Sequence, residues 1–167
     1  QELPVILAID RAGLVGEDGP THHGVFDIAY LRVLPNLIVL SPKDPAELET
    51  MLRWALQQQK PVAIRYARGG IVCGTPFGPP APLELGMAEI LRDGKDLALV
   101  ALGSMVAPAL AVAAALEHDG IQAMVVNARF IKPFDGATLT RAADTGAIVT
   151  LEEAQLAGGF GSAVAEA

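Results

Sequence analysis

Apolar runs of strand length recur along this chain, separated by segments with helical patterning, and that alternation restricts the fold more than any other feature. LPVILAI (Leu3 to Ile9), LIVL (Leu37 to Leu40), PVAIRY (Pro61 to Tyr66), DLALVALG (Asp96 to Gly103), IQAMVVNARF (Ile121 to Phe130) and AIVTLEE (Ala147 to Glu153) are near-continuous and rich in β-branched residues. Such runs read as buried strands of parallel sheets. LELGMAEIL (Leu83 to Leu91) reads as one more strand.

The intervening segments carry helix signals. FDIAYLRVLPN (Phe26 to Asn36) is a short helical stretch closed at Pro35. In SPKDPAELETMLRWALQQQ (Ser41 to Gln59), Asp44 suits an N-cap, Pro45 the first helical position, and Glu47 a capping-box-like role. Leu48, Met51, Leu52, Ala55 and Leu56 follow at spacings of three and four, predicting one helical face against a sheet. SMVAPALAVAAALEHDG (Ser104 to Gly120), KPFDGATLTRAADTG (Lys132 to Gly146) and GGFGSAVAEA (Gly158 to Ala167) predict further helices. Strands alternating with helices predict α/β layers with parallel sheets. Glycine and proline concentrate in GGIVCGTPFGPPAP (Gly69 to Pro82), which suits neither a helix interior nor a central strand. This predicts a linker with a boundary near Gly78, dividing the chain into lobes 1–77 and 78–167.

At 167 residues, 51% hydrophobic and 19% charged, the chain has the composition of a folded globular protein. A formal net charge of -7 argues against nucleic-acid binding, which needs a basic face, so any anionic ligand must be met by local positive charge. One cysteine, Cys73, leaves no disulfide within the chain and no thiolate zinc cluster, which suits a reducing cytoplasm. Apolar runs such as Leu97 to Leu102 fall far short of the roughly 20 residues of a membrane span. The chain starts at Gln1 without a leader and stops at Ala167 inside a helix-patterned stretch, which reads as a piece of a longer protein.

In parallel α/β sheets, ligands bind beyond the carboxyl ends of the strands. There lies RAGLVGEDGPTHHG (Arg11 to Gly24), dense in reactive groups and poor in core residues, and there too lies Arg68, after the third strand. The loop matches neither the dinucleotide fingerprint nor a phosphate loop ending in Lys-Ser or Lys-Thr. GGFG (Gly158 to Gly161) suits either an anion cradle or a tight turn. His22 and His23 are adjacent, so their side chains diverge, and His118 is in the other lobe, which disfavours a metal site. Asp18, four residues before His22, suits a carboxylate fixing a general acid/base imidazole, or merely an Asp-Gly-Pro turn. Arg11 and Arg68 suit a phosphate clamp, with surface salt bridges as the alternative. Lys132, Asp135 and Arg141 read as solvated or linking charges, and Glu152 and Glu153 as the end of a strand.

RAGLVGEDGPTHHGVFDIAYLRVLPNLIVLSPKD, IRYARGG, and ARFIKPFD followed by VTLEEAQLAGGFGSAV closely resemble the 1-deoxy-D-xylulose-5-phosphate synthases, thiamine diphosphate enzymes of the transketolase superfamily. GEDGPTH is shared with transketolases, whereas RAGLVG before it and YARG after it favour the synthases. The resemblance implies a three-domain parent, of which this chain covers the later part of the pyrimidine-binding domain and most of the C-terminal domain. It implies thiamine diphosphate and Mg2+, bound mainly by residues outside this segment, a homodimer and a cytoplasmic location. The implied reaction joins pyruvate to D-glyceraldehyde 3-phosphate, releasing carbon dioxide and giving 1-deoxy-D-xylulose 5-phosphate for isoprenoid, thiamine and pyridoxal synthesis. Carried over, Arg11 and Arg68 match the arginines for the acceptor phosphate, and Asp18 and His22 match the catalytic loop acid and histidine. Transketolase, a 2-oxo acid dehydrogenase decarboxylase component, or a noncatalytic assembly module are the rival readings.

Overall fold

The computed structural model describes residues 2–69 and 77–167, and within them two four-stranded sheets share one hydrophobic core. The first sheet has the order β1-β3-β2-β7, with β1 Ile6–Ile9, β2 Ile38–Leu40, β3 Val62–Arg65 and β7 Phe130–Lys132. β1 and β2 both run parallel to the central β3, in the registers Ile6 to Val62 and Ile38 to Val62. The second sheet has the order β4-β6-β5-β8, with β4 Glu89–Arg92, β5 Leu97–Ala101, β6 Ala123–Asn127 and β8 Ile148–Leu151. β5 is parallel to β6 and to β8, while β4 is antiparallel to β6.

Successive residues of each strand point to opposite faces of its sheet. Leu37, Val39 and Ala63 join α1 (Asp27–Arg32) through Ile28 and Leu31, and meet Val100, Met124, Val126 and Phe160 from the second half. On the opposite face Ile38, Leu40, Val62 and Ile64 pack with α2 (Pro45–Ala55) through Met51 and Ala55. Leu99, Ala101 and Val125 pack with α3 (Val106–His118) through Val106, Ala109 and Ala113. α4 (Gly136–Ala143) and α5 (Phe160–Glu166) contribute Ala142 and Phe160 to the shared core.

Three expectations need correction. IQAMVVNARF is two strands rather than one. β6 ends at Asn127, Arg129 turns the chain at φ 58°, and β7 pairs antiparallel with β2, placing Phe130 opposite Leu40. The apolar pattern continued through this turn because both strands are buried. In α2 the buried face is Glu47, Met51 and Ala55, whereas Leu52 and Leu56 are exposed, Leu56 at 75%. The strand Leu3 to Ile9 is also not buried: β1 is an edge of its sheet, and Leu3, Val5 and Leu7 are exposed among the described residues.

Asp44 caps α2 as expected, its carboxylate accepting from Glu47 N at 2.7 Å. Glu47 itself returns to Lys43 N, at 2.7 Å, instead of the cap residue. Of the expected linker, Cys73 and most of the stretch before Gly78 lie outside the described residues.

Candidate functional site

The carboxyl ends of β1 and β3 lie side by side, because Tyr66 N donates to Ile9 O and Ala12 N donates to Tyr66 O, extending the parallel pairing by one step. The loop that leaves β1 therefore starts beside the residues that follow β3. Its two ends close on each other. Gly24 N donates to Arg11 O and Gly13 O at 3.0 and 2.9 Å, and Gly13 N donates to Gly24 O at 2.9 Å. The approach is too close for a side chain at residue 24, where a Cβ would stand 2.3 Å from Arg11 O.

Within the loop, Asp18 is the meeting point of the two arginines. Arg11 Nε donates to Asp18 Oδ2 at 2.8 Å, and Arg68 Nη1 contacts Asp18 Oδ1. Arg11 also pairs with Asp10. The hydrogen bond from Arg68, then that from Arg11, pulls the Asp18 carboxyl from its ordinary 3.8 down to about 2. The same contact raises the pKa of Arg68. Asp18 is thus a carboxylate throughout the neutral range.

The expected pairing of Asp18 with His22 is not formed. Both carboxylate oxygens take guanidinium partners, and His22 Nδ1 lies 3.0 Å from the Thr21 hydroxyl. Ionic attraction from two arginines outcompetes a single imidazole for the same acid. His23 turns inward and accepts from Val15 N at Nδ1, 3.0 Å, so the two histidines diverge. The structure therefore brings together Arg11, Asp18 and Arg68, and leaves His22 on the same loop without a hydrogen bond or ion pair to Asp18.

The sequence reading passed over a second layer beneath this loop. Arg65, the last residue of β3, is buried and paired with buried Asp27 at the start of α1, Nε to Oδ2 2.7 Å. Its Nη2 also donates to Gly24 O at 2.9 Å and Glu153 O at 2.6 Å. The available signal was one arginine inside the apolar run VAIRY, since a buried charge needs a partner and an acid opens the neighbouring helix. Glu153 is no mere strand end: its side chain contacts Ser104 Oγ and lies against Gly13.

The GGFG turn holds an anion of its own. Glu152 accepts from Phe160 N and Gly161 N at 2.6 and 2.7 Å, so the opening amides of α5 are occupied by this carboxylate. Asp135 caps α4, accepting from Thr138 N at 2.9 Å and also from Ala88 N at 3.0 Å. Burial pushes its pKa up, but the hydrogen bonds from Thr138 and Ala88 prevail and lower it. Lys132 Nζ donates to Arg32 O at 3.1 Å and also contacts Leu34 O, and Arg141 pairs with Asp93. These are linking roles, as expected.

Residues 1–71 match the family model for the transketolase pyrimidine binding domain, and residues 86–167 match that for the transketolase C-terminal domain. The chain belongs to the transketolase family. Among curated relatives, it is 56% identical over 168 residues to 1-deoxy-D-xylulose-5-phosphate synthase of Thermomicrobium roseum, covering 99% of this chain and 27% of the relative. It is 53% identical over 167 residues to that of Syntrophus aciditrophicus, covering 99% of this chain and 26% of the relative. The chain thus spans about a quarter of the length of these relatives. A solved structure described as a split gene transketolase, inactive beta4 tetramer, superposes with a TM-score of 0.89 at 42% identity, covering 99% of this chain and 53% of that one. Transketolase from Campylobacter jejuni superposes with a TM-score of 0.71 at 28% identity, covering 89% and 24%.

Proposed function

We propose that this chain is part of a 1-deoxy-D-xylulose-5-phosphate synthase. The enzyme joins pyruvate to D-glyceraldehyde 3-phosphate with loss of carbon dioxide, feeding isoprenoid, thiamine and pyridoxal synthesis. The observation that carries the reading is the likeness to synthases along the whole chain, at 56% and 53% identity to the two relatives above. The upstream part of the enzyme, a homodimeric assembly and a cytoplasmic location belong to the same proposal.

The geometry supports a role for this segment at the acceptor. Each arginine carries five N–H donors, and Asp18 engages Arg11 through Nε and Arg68 through Nη1. Arg11 Nη1 is also taken by Asp10, so the donors outside these three pairs are the ones left for a phosphate, and Asp18 holds the two guanidinium groups together at the end of the parallel strands. A carboxyl held at about 2 is a weak base at neutral pH, which supports His22 over Asp18 for proton transfer at the acceptor oxygens. With Nδ1 turned to Thr21, Nε2 is the nitrogen left to serve the acceptor.

Thiamine diphosphate and Mg2+ are part of the proposal for the whole enzyme. Among the described residues no three His, Cys, Asp or Glu side chains are grouped to hold a metal ion, and the reading puts the contacts to Mg2+ and the cofactor mainly outside this segment.

The test is an assay of the whole protein that carries this chain, with pyruvate, D-glyceraldehyde 3-phosphate, thiamine diphosphate and Mg2+. Formation of 1-deoxy-D-xylulose 5-phosphate is the expected result. Turnover only with a ketose phosphate donor would assign a transketolase instead. Intact masses under denaturing conditions establish the length of the polypeptide assayed.

A further inference from the structure

A buried arginine at the end of a central strand is a costly way to fill space, since an apolar side chain of similar volume stabilises as well or better. Arg65 is such a residue, and its partners show what the charge does. Asp27 balances it, and Asp27 Oδ1 is held in turn by Ile28 N at 2.9 Å. The two other acceptors are carbonyls at the base of the Arg11–Gly24 loop: Gly24 O from the loop itself and Glu153 O from the segment after β8.

Gly24 O is also the acceptor of Gly13 N, so the hydrogen bond that closes the neck of the loop ends on the atom that Arg65 grips. The other side of the neck is pressed by Glu153. A Cβ on Gly13 would stand 2.7 Å from Glu153 Cβ. Arg65 and Glu153 together fix both ends of the loop, and Glu153 belongs to the second half of the chain.

We propose that Arg65 is a positioning residue for the acceptor site, holding the neck of the loop so that Arg11, Asp18 and His22 keep their places relative to Arg68. The inference rests on the synthase reading for what the loop binds. A lysine has one charged nitrogen and cannot serve the carboxylate and both carbonyls in the fixed fork of a guanidinium.

The test is Arg65→Lys in the whole enzyme, read by amide hydrogen exchange and by steady-state kinetics. Exchange in peptides spanning residues 12–24 is expected to rise at least tenfold while that of β5 and β6 is unchanged. The KM for D-glyceraldehyde 3-phosphate is expected to rise at least tenfold, and that for pyruvate to change less than twofold. If Arg65→Lys does not fold, Gly24→Ala, which pries open the same neck from the other side, is expected to give the same pattern. Loop exchange unchanged within twofold overturns the positioning role whatever the enzyme's activity, so its failure is distinct from failure of the synthase reading. A uniform loss of protection across the chain, with both KM values unchanged and activity lost in proportion to the unfolded fraction, also overturns it by reducing Arg65 to a fold-stabilising residue.

Discussion

Arg129 and Glu47 lie 82 residues apart in the chain and 2.8 Å apart in space, Nε to Oε1, with both side chains buried. Glu47 also accepts from Asn127 Nδ2 at 2.9 Å and pairs with Lys43 at 3.3 Å, while Arg129 donates to the carbonyls of Ala81 and Pro82. One carboxylate on α2 thus receives the turn between β6 and β7, the point where the chain crosses from the second sheet to the first.

Removing that carboxylate leaves buried Arg129 without its acid, while Lys43 keeps Glu89 at 3.3 Å and Asp44 at 3.6 Å. Breaking a buried pair from one side costs about 3–5 kcal/mol, because the remaining charge is uncompensated. Glu47→Ala is therefore expected to destabilise the protein by that amount, as read from the denaturant midpoint at unchanged slope. Glu47→Gln, which keeps one acceptor oxygen for either Asn127 Nδ2 or Lys43 N, is expected to lose less.

Arg68→Ala tests the acceptor reading directly. Loss of one charge-assisted contact is worth about 1.5–3 kcal/mol, which is roughly ten- to hundredfold in acceptor affinity. The KM for D-glyceraldehyde 3-phosphate in the whole enzyme is the quantity to measure, and an unchanged value removes Arg68 from the site. His22→Ala is expected to slow turnover about a hundredfold if its imidazole transfers a proton. Turnover equal to that of the parent reduces His22 to scaffolding.

The alternation of apolar runs with helix signals marked seven strand runs, fusing β6 with the start of β7, since burial on one or both faces leaves a direct mark on composition. What it did not show was strand order or which runs break. Nothing in IQAMVVNARF distinguishes the residues of β6 from Phe130 of β7, because both sit in core. At the site, residue types pointed to the loop and to both arginines, but the partners of Asp18 depend on how close β1 and β3 end, a tertiary fact. Glu47 illustrates the same limit. Its spacing from Asp44 satisfied a capping pattern, and the buried cation that claims it arrives from 82 residues away.

Glu152 offers a local test of the GGFG turn. Its two oxygens cap the opening amides of α5, and a Cβ on Gly159 would stand 2.7 Å from Glu152 Oε2, so the glycine makes room for the carboxylate. Glu152→Ala strips both amides of their acceptor. By the measured worth of a helix N-cap the expected loss is about 0.5–2 kcal/mol, read by thermal or denaturant unfolding and partly restored in Glu152→Gln.

The ion pairs at Asp18 predict a definite pH response. Its carboxyl falls from 3.8 to about 2 on folding, chiefly through Arg68 and then Arg11. A group whose pKa is lowered in the folded state binds fewer protons there than in the unfolded chain, so its stabilising contribution is complete above the unfolded value. That contribution fades as pH falls from about 3.8 through about 2. Between pH 5 and 8 Asp18 adds no slope to stability, and any change in activity across that range must come from another group. Carboxyl carbon chemical shifts followed by NMR are expected to give a midpoint near 2 for Asp18. In Arg68→Ala the midpoint should move up toward the ordinary carboxylate value, and a midpoint already near that value in the parent protein would show that the two arginines do not meet on this acid in solution.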